Sequence, residues 1–283
     1  MPKRRVTQAQ LNQVNKAFRT SSKIVEGRWK YWPKISVETT GYESGPFQYL
    51  HDIFKDIVDE CRKVIEGAPI VDFFINTGLS ANLTRSVTGS RPDGYLLRVP
   101  LASKPVKDHP SSPASAERKD LREDIAVSIE YMENHDRHSR TCNEDKIIWS
   151  MHHVMRRDPC RRFTFSITIE NTHMRVWHSN RSIITVAKDF DFFGDHDALI
   201  KVVTSFAFAK EAHMGWDPTL RRRTHGGQYV FDIDVHAPEG TVETFTADKI
   251  IYSFEANTRV FRAKASDGKT VVIKDVWRDQ NGV

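Results

Sequence analysis

From Phe47, apolar residues recur at Leu50, Ile53, Phe54, Ile57, Val58, Cys61, Val64 and Ile65. That is the 3.6-residue period of an amphipathic helix, which Gly67 is predicted to end. A second helix is predicted over 143–158. Asn143 suits the N-cap, Glu144 and Asp145 the positive helix end, Arg156 and Arg157 the negative end, and Pro159 the stop. Ile147, Ile148, Met151, Val154 and Met155 form its stripe for burial, and a third helix is predicted over 195–214, closed by Gly215. Strand patterns lie between these helices, at 71–75, 95–99 and the β-branched run 125–132. Phe163, Phe165, Ile167 and Ile169 alternate with Thr164, Ser166 and Thr168, and 174–177 and 182–187 extend the sheet. Beyond residue 227 only strand patterns remain. Tyr229, Phe231, Ile233 and Val235 alternate with polar residues, Pro238-Glu239-Gly240 turns the chain, and strands follow at 241–254, 258–265 and 270–275, with Asp267-Gly268 as a hairpin turn.

This order predicts an α+β protein. Residues 1–45 are polar and interrupted by Trp29, Trp32, Pro33, Gly41 and Gly45, the pattern of an arm or loosely docked segment. A mixed α/β sheet domain occupies 46–215 and carries an exposed loop at 100–120, where four prolines fall among serines and lysines. Residues 216–227, with Pro218, Arg221-Arg222-Arg223 and Gly226-Gly227, read as a linker to an all-β region over 228–283.

Composition narrows the picture modestly. The 283 residues carry a net charge of +5, so the surface is mildly basic and favours phosphate-bearing partners without implying nucleic acid. Cys61, Cys142 and Cys160 are an odd count with no C-x-x-C pair, which argues for a reducing compartment over a disulfide framework. Lys3-Arg4-Arg5 has no apolar run behind it, so neither a secretory signal nor a membrane span is expected; as a nuclear signal it is short, and a solvated tail accounts for it. The expected location is cytoplasmic or nuclear, with no membrane partner.

Several stretches resemble the fungal-type protein kinase domain family. They are Arg91-Pro92-Asp93-Gly94-Tyr95, Trp149-Ser150-Met151-His152-His153, residues 156–165 around Asp158-Pro159-Cys160, Glu170-Asn171-Thr172 with Met174-Arg175 and Trp177, Gly215-Trp216-Asp217-Pro218-Thr219, Thr258-Arg259-Val260 and Val272-Ile273-Lys274-Asp275. The resemblance implies that 228–283 is the start of a kinase amino-terminal lobe. Lys274 would be the strand lysine that grips the ATP α/β-phosphates, with Thr258 and Val260 beside the nucleotide. The family's phosphate loop resembles Gly-Arg-Gly-Thr-Arg-Val, and here Glu255-Ala256-Asn257 stands where its glycines would be, losing close backbone approach to phosphate. No His-Arg-Asp or Asp-Phe-Gly motif follows Lys274. Asp191-Phe192-Phe193-Gly194 has one phenylalanine too many and precedes Lys274, so it is set aside. The expectation is a chain catalytically incomplete by itself and needing no cofactor alone, ATP and Mg²⁺ entering only through the resemblance. Its expected partner is another protein or the remainder of a kinase domain, with self-association through unfinished strand edges.

A second chemistry is weighed beside this. Asp93 opening one strand and Glu130 near the end of the next, in a helix, strands, helix, strand order, resemble the PD-(D/E)XK nuclease core, where two carboxylates hold a divalent metal. Met132 stands where that core carries its lysine, so a degenerate nuclease-like fold that binds nucleic acid or protein is the alternative reading. Cys142, His152, His153 and Cys160 match no zinc spacing, because adjacent histidines on a helix point about 100° apart. Arginines 156, 157, 161, 162 and 221–223 form basic clusters that offer phosphate contacts, though solvated helix ends and a linker also explain them.

Overall fold

The computed structural model describes residues 6–30, 32, 49–75, 92–99, 122–253 and 258–277. Lys3-Arg4-Arg5, the whole of the 100–120 loop, Arg91 and Glu255-Ala256-Asn257 lie outside the described residues. The chain divides into two compact units. The first comprises residues up to Met151 with Phe165–Trp177 and Val186–Lys210; the second comprises His152–Thr164, His178–Thr185 and the residues from Glu211 onward.

The first unit begins with α1 (Gln8–Thr20), a helix inside the stretch expected to be an arm. Thr7 accepts from the Gln10 backbone amide and Gln10 answers to the Thr7 amide, a capping box that fixes the start. Leu11, Val14 and Phe18 are buried along one face. The short pair β1 (Ile24–Val25) and β2 (Arg28–Trp29) follows, and the Trp29 indole donates to the Phe192 carbonyl at 2.9 Å. The aromatic residues that looked like punctuation are docking groups: Trp29 and Trp32 are both buried.

The helix α2 (Tyr49–Arg62) forms as its period dictates, burying Leu50, Ile53, Phe54, Ile57 and Cys61. The sheet runs β3 (Val71–Ile75), β4 (Gly94–Arg98), β5 (Ile125–Met132), β6 (Phe163–Glu170), β7 (His173–Asn180) and β8 (Ile184–Val186), with β9 (Phe190–Asp191) paired to β7. The pairs β3–β4 and β4–β5 are antiparallel, whereas β5 and β6 are parallel, joined across α3 (Arg137–Arg157). Here α3 starts six residues before the predicted Asn143 because Asp136 is its cap, accepting from the Ser139 amide at 2.8 Å. Asn143 is instead buried and donates to the Ile169 carbonyl at 3.1 Å and to Glu170 at 2.8 Å. The third predicted helix is shorter, α4 (His196–Ala207), followed by a separate turn of 3₁₀ helix at Glu211–Met214.

In the second unit β10 (Leu220–His225), β11 (Gln228–His236), β12 (Val242–Ser253), β13 (Thr258–Lys264) and β14 (Thr270–Val276) form a sheet in sequence order. Every neighbour is antiparallel. Half of the expected linker, Leu220–His225, is therefore strand. The arginine-rich run is stable there because Arg221 and Arg223 pair across the ladder with Asp234 and Asp232. Phe231, Ala247, Phe261 and Ala263 are buried on this sheet.

Candidate functional site

The strand lysine of the kinase-like region lies on β14, and its neighbours are set by register. Lys274 pairs with Val260 on β13, and Thr258 pairs with Val276, so all four side chains share one face under the period-two rule. The expected trio Lys274, Thr258 and Val260 is thus brought together. Lys274 is exposed and has no hydrogen-bond or ion-pair partner among the described residues. Val272 is 65 % exposed and Val276 42 % exposed, so the lysine stands between two uncovered apolar groups. An unpaired ammonium on an open face suits a phosphate oxygen. Asp275, the next residue along β14, points to the other side.

That other side is held by a set of buried charges that sequence reasoning missed. Arg259 is 1 % exposed and forms an ion pair with Asp275, its Nε donating at 2.8 Å. Asp217 approaches the same guanidinium at 3.7 Å, while its other oxygen accepts from the Thr219 amide and hydroxyl at 2.9 and 2.6 Å. Arg161, expected in a surface cluster, is fully buried: it pairs with Asp158 at 3.1 Å, donates to the Met214 carbonyl at 3.3 Å and stacks 3.5 Å from the Trp216 ring. Arg222 also approaches Asp158, at 3.9 Å. Arg221 and Arg223 are paired to Asp234 and Asp232, so the 221–223 cluster is neutralised within the unit. Gly215 permits this packing: its φ is +103°, and a Cβ there would lie 1.9 Å from the Phe163 carbonyl oxygen. The motifs around Asp158, Gly215 and Thr258 are therefore parts of one interior.

Burial first and the Asp158 carboxylate second push the Cys160 thiol up to about 12, so the free thiol stays protonated at neutral pH. Asp191-Phe192-Phe193-Gly194 is a structural turn in which Asp191 accepts from the Phe193 amide at 2.9 Å and Phe192 is buried.

In the first unit, Asp93 and Glu130 do meet. Gly94 pairs with Ile129, and the Asp93 carboxylate accepts from the Tyr131 amide at 2.9 Å. Glu130 is 3 % exposed and accepts from the Ser150 hydroxyl at 3.0 Å. Burial first and the Asp93 carboxylate second push the Glu130 carboxyl up to about 8, so Glu130 carries its proton at neutral pH. The positive charge of Lys146 pulls the other way, from α3, a position that inspection of the strand motif alone did not reach. Tyr131 covers Gly94, where an added Cβ would lie 2.8 Å from the phenol oxygen.

The sequence profile of the family described as Fungal protein kinase matches residues 106–282. This is more than half of the chain and includes Glu130, the Asp158 and Gly215 motifs, and Lys274, with Asp93 outside it. No curated protein and no solved structure matches the chain. The family match and the convergence of its motifs on one interior lead to the same conclusion: this chain belongs to the fungal protein kinase family.

Proposed function

We propose that the β12–β14 sheet is the phosphate-gripping side of a kinase amino-terminal lobe, and that Lys274 orients ATP for phosphoryl transfer to protein. The observation that carries this reading is the cross-strand pair Val260–Lys274 on an open face, with a lysine that has no partner among the described residues. ATP supplies the transferable phosphoryl group; the ammonium of Lys274 neutralises α/β-phosphate oxygens, and Thr258 and Val260 line the approach. The 283 residues contain neither a base from a His-Arg-Asp segment nor the metal-holding Asp-Phe-Gly after Lys274, so this polypeptide alone transfers no phosphate. Exposed Val272 and Val276 support a covering partner, the remainder of a kinase domain or another protein.

The test is transfer of radiolabelled γ-phosphate to a mixed protein substrate, by the 283-residue protein alone and after fusion to a second kinase lobe from a family relative. Background transfer by the protein alone and Lys274-dependent transfer by the fusion support the reading. Lys274-dependent transfer by the protein alone would overturn its incompleteness, and fusion activity indifferent to K274M would overturn the role of Lys274.

A second reading rests on Asp93 and Glu130. Their meeting within a helix, antiparallel strands, helix, parallel strand order favours a degenerate nuclease-like fold that serves as a binding module. Mg²⁺-dependent cleavage of DNA or RNA that disappears in D93A would make it an enzyme instead.

A further inference from the structure

Three side chains distant in sequence converge at one edge of the first unit. His135 precedes the Asp136 cap of α3, His173 opens β7, and Asp189 precedes β9. Their ligand atoms all lie within 4.8 Å of one another. The His135 and His173 rings are stacked, 3.7 Å between centroids and 1° from parallel, and His173 Nδ1 lies 3.2 Å from Asp189 Oδ2. A fourth group joins them: the Arg140 guanidinium is 3.4 Å from His135 Nε2 and 3.9 Å from the same Asp189 oxygen.

We propose that His135, His173 and Asp189 form a binding site for a divalent transition metal of the zinc class, and that Arg140 occupies the cation seat when the metal is absent. Two imidazoles and one carboxylate are a donor set suited to zinc or cobalt, leaving a further coordination position open. The backbone around the donors is anchored. The Asn171 amide donates to the Met132 carbonyl at 2.8 Å, the Phe192 amide donates to the Thr172 carbonyl at 3.0 Å, and β9 pairs with His173 and Met174. Donor atoms around a tetrahedral zinc stand about 3.3 Å apart, so the cluster must contract by roughly 1 Å or more. His135, the exposed member on a short link, is the ring free to swing out of the stack. The metal takes the place of the proton that His173 Nδ1 donates to Asp189, and that proton moves to Nε2, leaving the imidazole neutral. Arg140, 41 % exposed, has solvent to turn into.

The experiment is calorimetric titration of the full 283-residue protein with ZnCl₂, repeated with CoCl₂ to read the visible ligand-field bands of nitrogen and oxygen coordination. One equivalent is expected to bind. H135A and H173A should each weaken binding by at least the about tenfold that loss of a supporting residue costs. R140Q should tighten it by about two- to fivefold, the value of an exposed ion pair. H135A alters an exposed residue, so circular dichroism should show its fold intact even if H173A unfolds. No binding of either metal, binding that survives H135A, or R140Q that weakens binding would each overturn the assignment.

Discussion

Arg259 stands directly across the β13–β14 ladder from Asp275 and forms an ion pair with it, while Val260 and Lys274, the next pair along, face the opposite side of the sheet. One strand pair thus carries a buried structural charge on one face and an exposed, unpaired one on the other.

D275N removes the main counter-charge of an arginine that is 2 % exposed in its side chain, leaving Asp217 at 3.7 Å. An uncompensated buried charge is expensive, so the variant should lose about 2–3 kcal/mol of stability. D248N, whose partner Arg262 is half exposed, should lose under about 1 kcal/mol. Urea unfolding of both variants against the parent checks the contrast, and equal losses would contradict it.

G215A should be among the most damaging single substitutions in the second unit. It places a methyl group 1.9 Å from the Phe163 oxygen at a positive φ, for a loss on the order of 3 kcal/mol or more. Thermal melts and soluble yield report it, and a stability unchanged from the parent would show that the close approach is absent.

Glu130 predicts a pH dependence of stability. Its folded carboxyl is raised above the ordinary 4.5 toward about 8, so the native state binds the proton more tightly than the unfolded chain does. The stability from this group is full below the unfolded value and is lost as pH rises through about 8. E130Q mimics the protonated acid, since its amide can donate to Asp93 and its oxygen can accept from Ser150. Melting temperatures across this range should fall with pH in the parent more steeply than in E130Q, and parallel profiles would refute the raised Glu130 carboxyl.

K274A should leave stability within about 0.5 kcal/mol of the parent, because the side chain is exposed and unpaired among the described residues. Circular dichroism and melting curves measure this. A large loss would mean that Lys274 has a structural partner and that its effect on phosphoryl transfer is indirect.

What the sequence determined by itself was local and periodic. The apolar spacing of α2, the alternation through Phe163–Glu170, the turn at Asp267-Gly268 and the strand carrying Lys274 were all legible, because each depends on residues within a few positions of one another. The family motifs were legible as words without their meaning. The tertiary structure decided which polar residues go inside. Arg161 and Arg259 look like surface charges in any window of sequence, and they are buried because aspartates and a tryptophan from other segments of their unit surround them. The run Arg221-Arg222-Arg223 reads as linker until Asp232 and Asp234 come alongside on β11. Asn143 reads as a helix cap until the β6 strand presents the Ile169 carbonyl and Glu170 to it. His135, His173 and Asp189 span more than fifty positions and share no motif. Periodicity reports which face of an element is apolar, whereas the pairing of a buried charge depends on groups that only chain folding brings within hydrogen-bond distance.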